Sequence, residues 1–320
     1  MRGFTLLELM IAMTIGVFLL GTLAVVLVNN SRTRYELEQS IGQIQNARYA
    51  LQVLSDDVAN AGFYGEAQVT GIANLSDPIC SNISDMSQVS NLTDVIRGRN
   101  NITASQRPGC TPDALEGLDI LAVRRASTCA VDTVGCDAFL AGLPHLQKPG
   151  CGAVTTPTIA TTRNAFTGTR PPCDATPTQA APIYRLVNHV YYLRNVTVSS
   201  QSIPTLMRAE LTGNGYQSTP IAEGIEHLHF EYGVDTDPIK DGEPNRYRTS
   251  NNITGTDWGN VVSVRVYLIA RNLKRTSGYQ DTRTYQLGGA SVTPSGEARG
   301  FKRQAYSTTI RLNNIAGPLE

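Results

Sequence analysis

The sequence has few charged residues and no net charge. Charged side chains make up 17% of the 320 residues, and 27 basic residues balance 27 acidic ones. A net charge of zero gives no overall field that would recruit nucleic acid or anionic lipid. The chain instead has 28 glycines, 16 prolines and abundant serine, threonine and asparagine. This composition is typical of a loop-rich extracellular β protein rather than a helical cytosolic enzyme.

Sequence patterns of catalysis are also lacking. There is no G-x-S-x-G nucleophile elbow, no glycine-rich phosphate loop and no H-E-x-x-H zinc motif. The four histidines, at positions 145, 189, 227 and 229, do not combine with the scattered serines into a triad pattern. We therefore expect a non-enzymatic protein without a catalytic cofactor.

Strongly apolar sequence is confined to one block. Leu9 to Val28 contains twenty uncharged residues, and the mean hydropathy of the whole chain, −0.16, excludes a polytopic membrane protein. At about 1.5 Å per residue the block reaches roughly 30 Å, the thickness of the hydrocarbon core of a bilayer. A signal peptide is the alternative, but its apolar region has about 7 to 15 residues and precedes a small-residue cleavage site. The sequence NNSRTRYE follows here instead, so the block predicts one membrane-spanning helix.

Glu8 lies inside the apolar run that begins at Phe4. A carboxylate in the bilayer costs about 2.5 to 3.5 kcal/mol, so such a residue is usually functional and paired. The run GFTLLELMIA at residues 3–12 resembles the cleavage and assembly signal of type IV prepilins. The resemblance implies a leader of residues 1–3, cleavage between Gly3 and Phe4, and N-methylation of Phe4. It also implies that Glu8 pairs with a terminal amine during filament assembly.

The predicted membrane-spanning segment comprises residues 4–28, which include the uncharged block. After this segment, apolar residues continue as one stripe of a helix. Its members recur at helical spacing, and they are Leu37, Ile41, Ile44, Leu51, Leu54 and Val58. Gly62 follows as the expected C-cap. We expect a continuous helix over about residues 5–61, with residues 29–62 as its amphipathic second half laid against a soluble domain. A coiled-coil partner is the alternative, but the segment lacks ordered e and g charges.

The region 63–182 is loop-rich and contains every cysteine. LDILAVR at residues 118–124 is its clearest strand, and residues 144–182 are interpreted as a long surface excursion. In an exported domain we expect disulfides, with 15 connectivities open. Zinc is the alternative, but the sequence has no C-x-x-C pair. The cysteines are Cys80, Cys110, Cys129, Cys136, Cys151 and Cys173.

Residues 183–320 predict an antiparallel β-sheet. Runs of β-branched and aromatic residues alternate with turn residues, namely RLVNHVYYLR, PTLMRAELT, IEHLHFEYGV, NVVSVRVYLIAR, RTYQL and RQAYSTTIRL. Together with NARYALQVLSDDVANAGFYG after the anchor, the order of these strings resembles the PilW family of minor pilins. The fold class expected is α+β and pilin-like, with a long N-terminal helix packed on an antiparallel sheet domain.

The resemblance implies a function and a place in the cell. It implies a structural minor pilin that helps to initiate type IV pilus assembly, at or near the pilus tip. The partners implied are other minor pilins, the major pilin, the inner-membrane assembly platform, the prepilin peptidase and a tip adhesin. The chain would cross the bacterial inner membrane once with its C-terminal domain in the periplasm, and later enter the extracellular pilus. The alternatives are a minor pseudopilin of a type II secretion system and a membrane-tethered periplasmic enzyme or binding module.

Two clusters in the sheet region offer metal ligands. His227, His229 and Glu231 share one face of a predicted strand, which is either a metal face or a solvated one. After this strand, the carboxylates of Asp235, Asp237 and Asp241 surround a glycine turn and supply the hard oxygens that calcium prefers. Related pseudopilins bind calcium. Pro238 and Lys240 interrupt the loop, so a plain polar turn is the other interpretation, and calcium is the one cofactor considered.

Overall fold

The computed structural model describes residues 5–71, 73–152 and 156–317. Within these ranges the helices are α1 (Leu6–Ala59), α2 (Ile83–Met86) and α3 (Asn313–Ala316). Helix α1 carries the apolar block and continues without a break into the body of the protein. It ends at a C-cap formed by Asn60, whose side-chain amide donates to the carbonyl of Asp56 at 2.7 Å. The expected C-cap, Gly62, lies two residues further on in a left-handed turn with φ of +73°.

The strands fall between α1 and α3 in chain order. They are β1 (Ile96–Arg99), β2 (Ile120–Ala126), β3 (His145–Gln147), β4 (Thr158–Ala160), β5 (Thr169–Arg170), β6 (Gln179–Ala180), β7 (Ile183–Val198), β8 (Gln201–Thr212), β9 (Gly215–Glu223), β10 (Ile225–Val234), β11 (Arg246–Arg248), β12 (Val261–Arg271), β13 (Tyr285–Leu287), β14 (Ala290–Val292) and β15 (Arg303–Arg311). Every pairing between them is antiparallel. The α+β class, with a long apolar helix before an antiparallel sheet domain, is confirmed.

Two larger sheets form the domain. The first has the order β1-β2-β7-β3-β4, with β8 paired to β7 and β9 to β8, and the second has the order β11-β10-β12-β15. A chain turn at Gly224 joins β9 of the first sheet to β10 of the second. Gly224 has φ of +76°, and a Cβ there would lie 2.7 Å from the carbonyl oxygen of Arg271. The close backbone approach therefore requires glycine at this junction.

The cysteine-containing region shares the first sheet. β2 pairs with β7 from Leu121↔Tyr191 to Ala126↔Leu186, and β3 pairs with the start of β7. The stretch 144–182 is thus not wholly a surface excursion, because β3 is buried in the sheet. Arg124 of β2, fully buried, donates to the carbonyls of Pro78 and Asp94 and ties the preceding loops to the strand.

One apolar core lies among the helix and the two sheets. It takes Leu54 and Val58 from α1, Tyr191 from β7, Phe230 from β10 and Val266 from β12, all fully buried. A smaller cluster lies on the other side of the first sheet around Val190 and Met207, and the half-buried Cys80 and Cys110 pack against it. The second half of α1 is therefore held by the same core that joins the sheets.

Candidate assembly site: the N-terminal helix and its contacts

The start of α1 is closed by a reciprocal capping box. Thr5 is the N-cap, and its hydroxyl accepts from the backbone N–H of Glu8 at 3.3 Å. The Glu8 carboxylate in turn accepts from the backbone N–H and from the hydroxyl of Thr5, both at 2.9 Å. The carboxylate therefore points back toward the beginning of the chain. Gly3 and Phe4, the predicted processing residues, lie outside the described residues.

The Thr5–Glu8 box was missed in the sequence, although the signal was present. A Thr-x-x-Glu pattern directly before an apolar run is the usual signature of a helix N-terminus. The geometry satisfies the N–H groups of Thr5 and Glu8 that have no partner within the helix. Glu8 thus has a local structural role in addition to the assembly role that the resemblance implies for it.

The apolar part of α1 makes no contact with the sheet domain. Its side chains are exposed throughout, from Leu6 at 78% to Val28 at 55%. Among the described residues, α1 is the one helix long and apolar enough to cross a membrane, with a mean hydropathy of 2.6 in a window of which none is buried. So large an exposed apolar surface requires lipid or a protein partner to cover it.

The second half of α1 packs on the sheet domain through small and polar side chains. The buried residues of α1 are Gln43, Ala47, Ala50, Leu54, Asp57 and Val58. The predicted stripe is correct for Leu54 and Val58 and wrong for Leu37 and Ile41, which are 56% and 52% exposed. The physical reason is direction. At about 100° per residue, Leu37 and Ile41 lie roughly 100° and 140° around the helix axis from the buried Leu54, so they do not face the sheets.

Side-chain amides fix the height of the helix on the sheets. Gln43 donates from Nε2 to the carbonyl of Ala270, the next-to-last residue of β12, at 2.6 Å. Asn46 donates from Nδ2 to the carbonyl of Glu223, the last residue of β9, at 3.0 Å. Both amides bind backbone groups at strand ends, which sets the register of α1 relative to the domain.

A buried network joins the end of α1 to the first sheet. The Asp57 carboxylate accepts from Arg125 Nε at 2.6 Å, and from the ring of His189 and the hydroxyl of Tyr191 at 2.8 Å each. On its other side, His189 Nε2 lies 3.6 Å from Oε2 of Glu210, and Arg185 donates to Glu210 at 2.7 Å. One helix carboxylate thus meets side chains from β2 and β7.

The network holds charge in the interior. Burial disfavours the charged imidazole of His189, but the carboxylates of Asp57 and Glu210 outweigh it and raise the pKa of this histidine. The interaction with the neighbouring His189 is the main cause that lowers the pKa of Glu210 to about 2. The sequence analysis overlooked this site. The sequence feature that could have indicated it is the charged Asp57, which is next to Val58 and three residues from Leu54 on the apolar stripe.

The six cysteines form three disulfides in the structure. Cys80 pairs with Cys110 across 30 residues, Cys129 with Cys136 across 7, and Cys151 with Cys173 across 22. Their Cα–Cα distances of 5.5 to 5.7 Å are usual for disulfides. No cysteine of the described ranges is free. The first bond closes the longest loop and packs against an apolar cluster, so it carries the largest stabilising constraint.

The acidic loop after β10 gathers its three carboxylates. One oxygen each from Asp235, Asp237 and Asp241 lie within 4.8 Å of one another. The fully buried Asp235 accepts backbone N–H groups from Asp237 at 3.0 Å and from Asp241 and Gly242 at 3.1 Å each. Lys240 donates to the backbone carbonyl of Asp235 at 2.9 Å, with its ammonium 3.8 Å from a carboxylate oxygen. The loop is therefore held by its own hydrogen bonds, and the ammonium group of Lys240 lies beside the Asp235 carboxylate.

The histidine face of β10 is divided among separate partners. His229 Nδ1 lies 2.8 Å from Oδ2 of the buried Asp119, which also accepts from the backbone N–H of Phe230. Glu231 accepts from the Tyr267 hydroxyl at 3.0 Å and from the backbone N–H of Gly289 at 2.9 Å. In the part of the chain that the structure describes, the metal-ligating cluster found is the Asp235 group, which does not include these residues.

Comparisons with known proteins identify the signatures at both ends of the chain. Residues 1–24 match the family model of the prokaryotic N-terminal methylation motif. Residues 190–314, from within β7 to α3, match the model of type IV pilus-assembly protein W, PilW. No curated protein sequence matches the chain. A solved structure similar to this chain is the type IV-like pilin TTHA1219 from Thermus thermophilus, at 10% identity and a TM-score of 0.37. The match covers 85% of this chain and 97% of the Thermus thermophilus pilin. A TM-score this low does not establish a shared fold.

The two family matches show what the chain is similar to, and its N-terminus carries a prokaryotic N-terminal methylation motif. More particularly, the sheet region carries a PilW domain. The resemblance noted in the sequence is confirmed at both ends, and it supports a structural role as a pilin.

Proposed function

We propose that this chain is a minor pilin that helps to initiate type IV pilus assembly, at or near the pilus tip. The observation that carries the proposal is the division of α1. Its first half is apolar and exposed on every side, behind a methylation motif, while its second half is built into the core of a PilW domain. The first half of such a helix is available for lipid or for the helices of other subunits, and the second half is packed against its own domain.

Processing prepares the helix for assembly. Cleavage between Gly3 and Phe4 frees the amine of Phe4, which is then methylated and stays positively charged. The Glu8 carboxylate is one turn away and already points toward that end of the helix through its bonds with Thr5. In an apolar environment opposite charges are weakly screened, so the Glu8 carboxylate forms an ion pair with this amine or with that of an adjacent subunit. Glu8 thereby sets the axial position of the helix in a filament.

The membrane and the filament provide equivalent environments for the apolar half. In the inner membrane the chain crosses once, with the sheet domain in the periplasm, and the assembly platform then moves it among the helices of other pilins. Burying an apolar surface of this size is worth on the order of tens of kcal/mol at about 25 cal/mol per Å². The helix stays out of water at both stages, and polar contacts decide register and partner choice. The partners are the major pilin, other minor pilins and a tip adhesin, after the prepilin peptidase.

The protein performs this role without catalysis or a cofactor. The acidic loop is a polar turn in this proposal, because Asp235 binds three backbone N–H groups and Lys240 occupies the neighbouring cation position. Calcium binding by Asp235, Asp237 and Asp241 requires displacement of that ammonium, which opposes it.

A deletion strain tests the proposal against its alternatives. The proposal predicts loss of surface pili and twitching motility with normal protein secretion, and restoration by the complete chain. Normal pili with loss of secreted enzymes would instead identify a pseudopilin of a type II secretion system. Normal pili and normal secretion would overturn the proposal and leave a membrane-tethered enzyme or binding module as the remaining alternative.

A further inference from the structure

Two loops form the end of the sheet domain that is nearest to the apolar half of α1. They are residues 272–284, which follow β12, and residues 294–302, which precede β15, and we call them the membrane-proximal rim. The backbone N–H of Thr276 donates to Gly300 at 2.9 Å, and that of Asp281 donates to Arg299 at 2.8 Å. The two loops are thus joined into one surface.

Contacts with α1 fix the position of the rim along the helix. Gln43 contacts Ala270 at the end of β12. Further along, Lys302 Nζ donates to Glu36 at 2.9 Å, and Lys274 Nζ lies 5.8 Å from the centre of the Tyr35 ring. As the chain leaves the strand and enters the rim, its contacts on α1 therefore move toward the membrane block.

The rim lies at the height of lipid headgroups when α1 spans a bilayer. Tyr35 comes seven residues after Val28, the end of the apolar block, which is roughly 10 Å along the helix axis. The headgroup layer adds roughly 5 to 8 Å to each side of the hydrocarbon core. The flexible stems of lysine and arginine cover the remaining few ångströms.

The rim is strongly basic although the whole chain is neutral. Its two loops contain five basic residues and two acidic ones, Asp281 and Glu297, for a net charge of +3. Asp281 is buried and pairs with Arg283 at 2.9 Å, and Glu297 lies 3.3 Å from Arg275. Lys274, Arg275 and Arg299 are exposed. The zero net charge of the whole chain therefore does not describe the local charge at this end of the domain.

We propose that the membrane-proximal rim binds the phosphates of anionic phospholipid headgroups while the chain is stored in the membrane. Lys274, Arg275 and Arg299 supply the charge, and the rim then holds the sheet domain against the bilayer surface. Basic residues beside an anionic leaflet attract it within a Debye length. The proposal requires only that α1 anchors the chain in a membrane. It is independent of filament assembly.

The test uses the full chain reconstituted in nanodiscs of equal parts phosphatidylcholine and phosphatidylglycerol. Mass spectrometry after gentle detergent extraction measures which lipid stays bound. The rim variant combines Lys274→Gln, Arg275→Gln and Arg299→Gln. The matched control combines Arg163→Gln, Arg170→Gln and Arg246→Gln, which removes three exposed charges from one loop and two short strands away from the rim. Melting curves of all three proteins establish that the fold is retained.

The unsubstituted chain and the control variant should retain phosphatidylglycerol over phosphatidylcholine. The rim variant should lose this preference by at least roughly fivefold, the factor that corresponds to about 1 kcal/mol for one charge at a membrane surface. Equal retention of both lipids by the unsubstituted chain would overturn the proposal. An undiminished preference in the rim variant, or an equal loss in the control, would also overturn it. Because filaments are not measured, none of these results depends on the function as a pilin.

Discussion

The Glu8 carboxylate accepts hydrogen bonds from both the backbone N–H and the hydroxyl of Thr5, at 2.9 Å each. The one acid in the apolar half of α1 is therefore part of a helix cap and also carries a charge. The two roles make different demands on the side chain. A cap needs an acceptor oxygen at this position, whereas pairing with the Phe4 amine needs a negative charge.

Variants of these two residues separate the roles. Glu8→Gln keeps an acceptor but removes the charge, Glu8→Val removes both, and Thr5→Val removes the hydroxyl while it leaves the charge. We expect the two Glu8 variants to enter filaments at least roughly tenfold less well than the unsubstituted chain, a factor that corresponds to about 1.4 kcal/mol. Thr5→Val should assemble nearly normally. The measurement is the amount of each chain in sheared pili relative to the membrane pool.

Membrane insertion is the control for this series. The membrane pool of Glu8→Val should equal or exceed that of the unsubstituted chain, because the variant lacks a carboxylate that costs about 2.5 to 3.5 kcal/mol to insert. Normal assembly of Glu8→Gln together with poor assembly of Thr5→Val would assign Glu8 to the cap alone.

The stability of the domain should depend on pH through His189. Its pKa is raised above the ordinary 6.5 in the folded protein, so the native state keeps a proton that the unfolded chain releases. This stabilisation is complete below about pH 6.5 and is lost as the pH rises through the higher folded pKa. His189→Gln breaks the buried pair with Asp57, and at low pH it should cost about 3 kcal/mol or more in the free energy of unfolding.

Urea unfolding of both proteins in detergent, followed by the fluorescence of Trp258, measures the dependence. The difference in unfolding free energy between the unsubstituted chain and His189→Gln should shrink as the pH is raised above neutrality. A constant difference over this range would show that His189 is neutral in the folded protein.

Loss of different disulfides should cost different amounts. In the loop-entropy description, closing 30 residues constrains the unfolded chain more than closing 7. We expect Cys80→Ser with Cys110→Ser to lower the unfolding free energy by about 1 kcal/mol more than Cys129→Ser with Cys136→Ser does. Thermal melts of the two double variants give the comparison. A larger effect for the shorter loop would contradict this ranking.

Calcium should leave the protein unchanged. A ligand that binds only the native state raises the melting temperature by mass action. Because Lys240 lies beside Asp235, the melting curve should be the same in chelator and in millimolar calcium. A calcium-dependent rise that disappears in Asp237→Asn would establish a site in this loop. Lys240→Gln is the second variant to measure, because it removes the ammonium group that competes with calcium for Asp235.

The long strands were predictable from side-chain alternation. The run IEHLHFEYGV coincides with β10, and its apolar Leu228, Phe230 and Tyr232 alternate with polar residues as expected for a strand. Several strands of two or three residues, such as β3 and β5, show no period and were missed, whereas β13 lies within the predicted run RTYQL. β9 was missed because it is a polar strand at the edge of its sheet, with Pro220 within it.

The buried face of α1 was only partly predictable. Helical spacing is satisfied equally by Ile41, which is exposed, and by Leu54, which is buried. The spacing alone does not reveal which side of α1 faces the sheets. Ala47 and Ala50 are buried because small side chains allow close approach, which a search for large apolar residues overlooks.

The candidate site shows the same division. The N-terminal motif and Glu8 could be found from local sequence, because processing and capping involve neighbouring residues. The Asp57–His189 pair spans 132 residues, and the disulfide pairing is one of 15 arrangements. Such contacts depend on the folded topology, so a single sequence gives little indication of them.

The central claim is that this chain is processed as a pilin and becomes part of a filament. The most direct measurement is mass spectrometry of the N-terminal peptide of this chain in sheared, purified pili. The account predicts that the peptide begins at Phe4 and carries one N-methyl group. A peptide that retains Met1, or absence of the chain from pili that are otherwise intact, would contradict it.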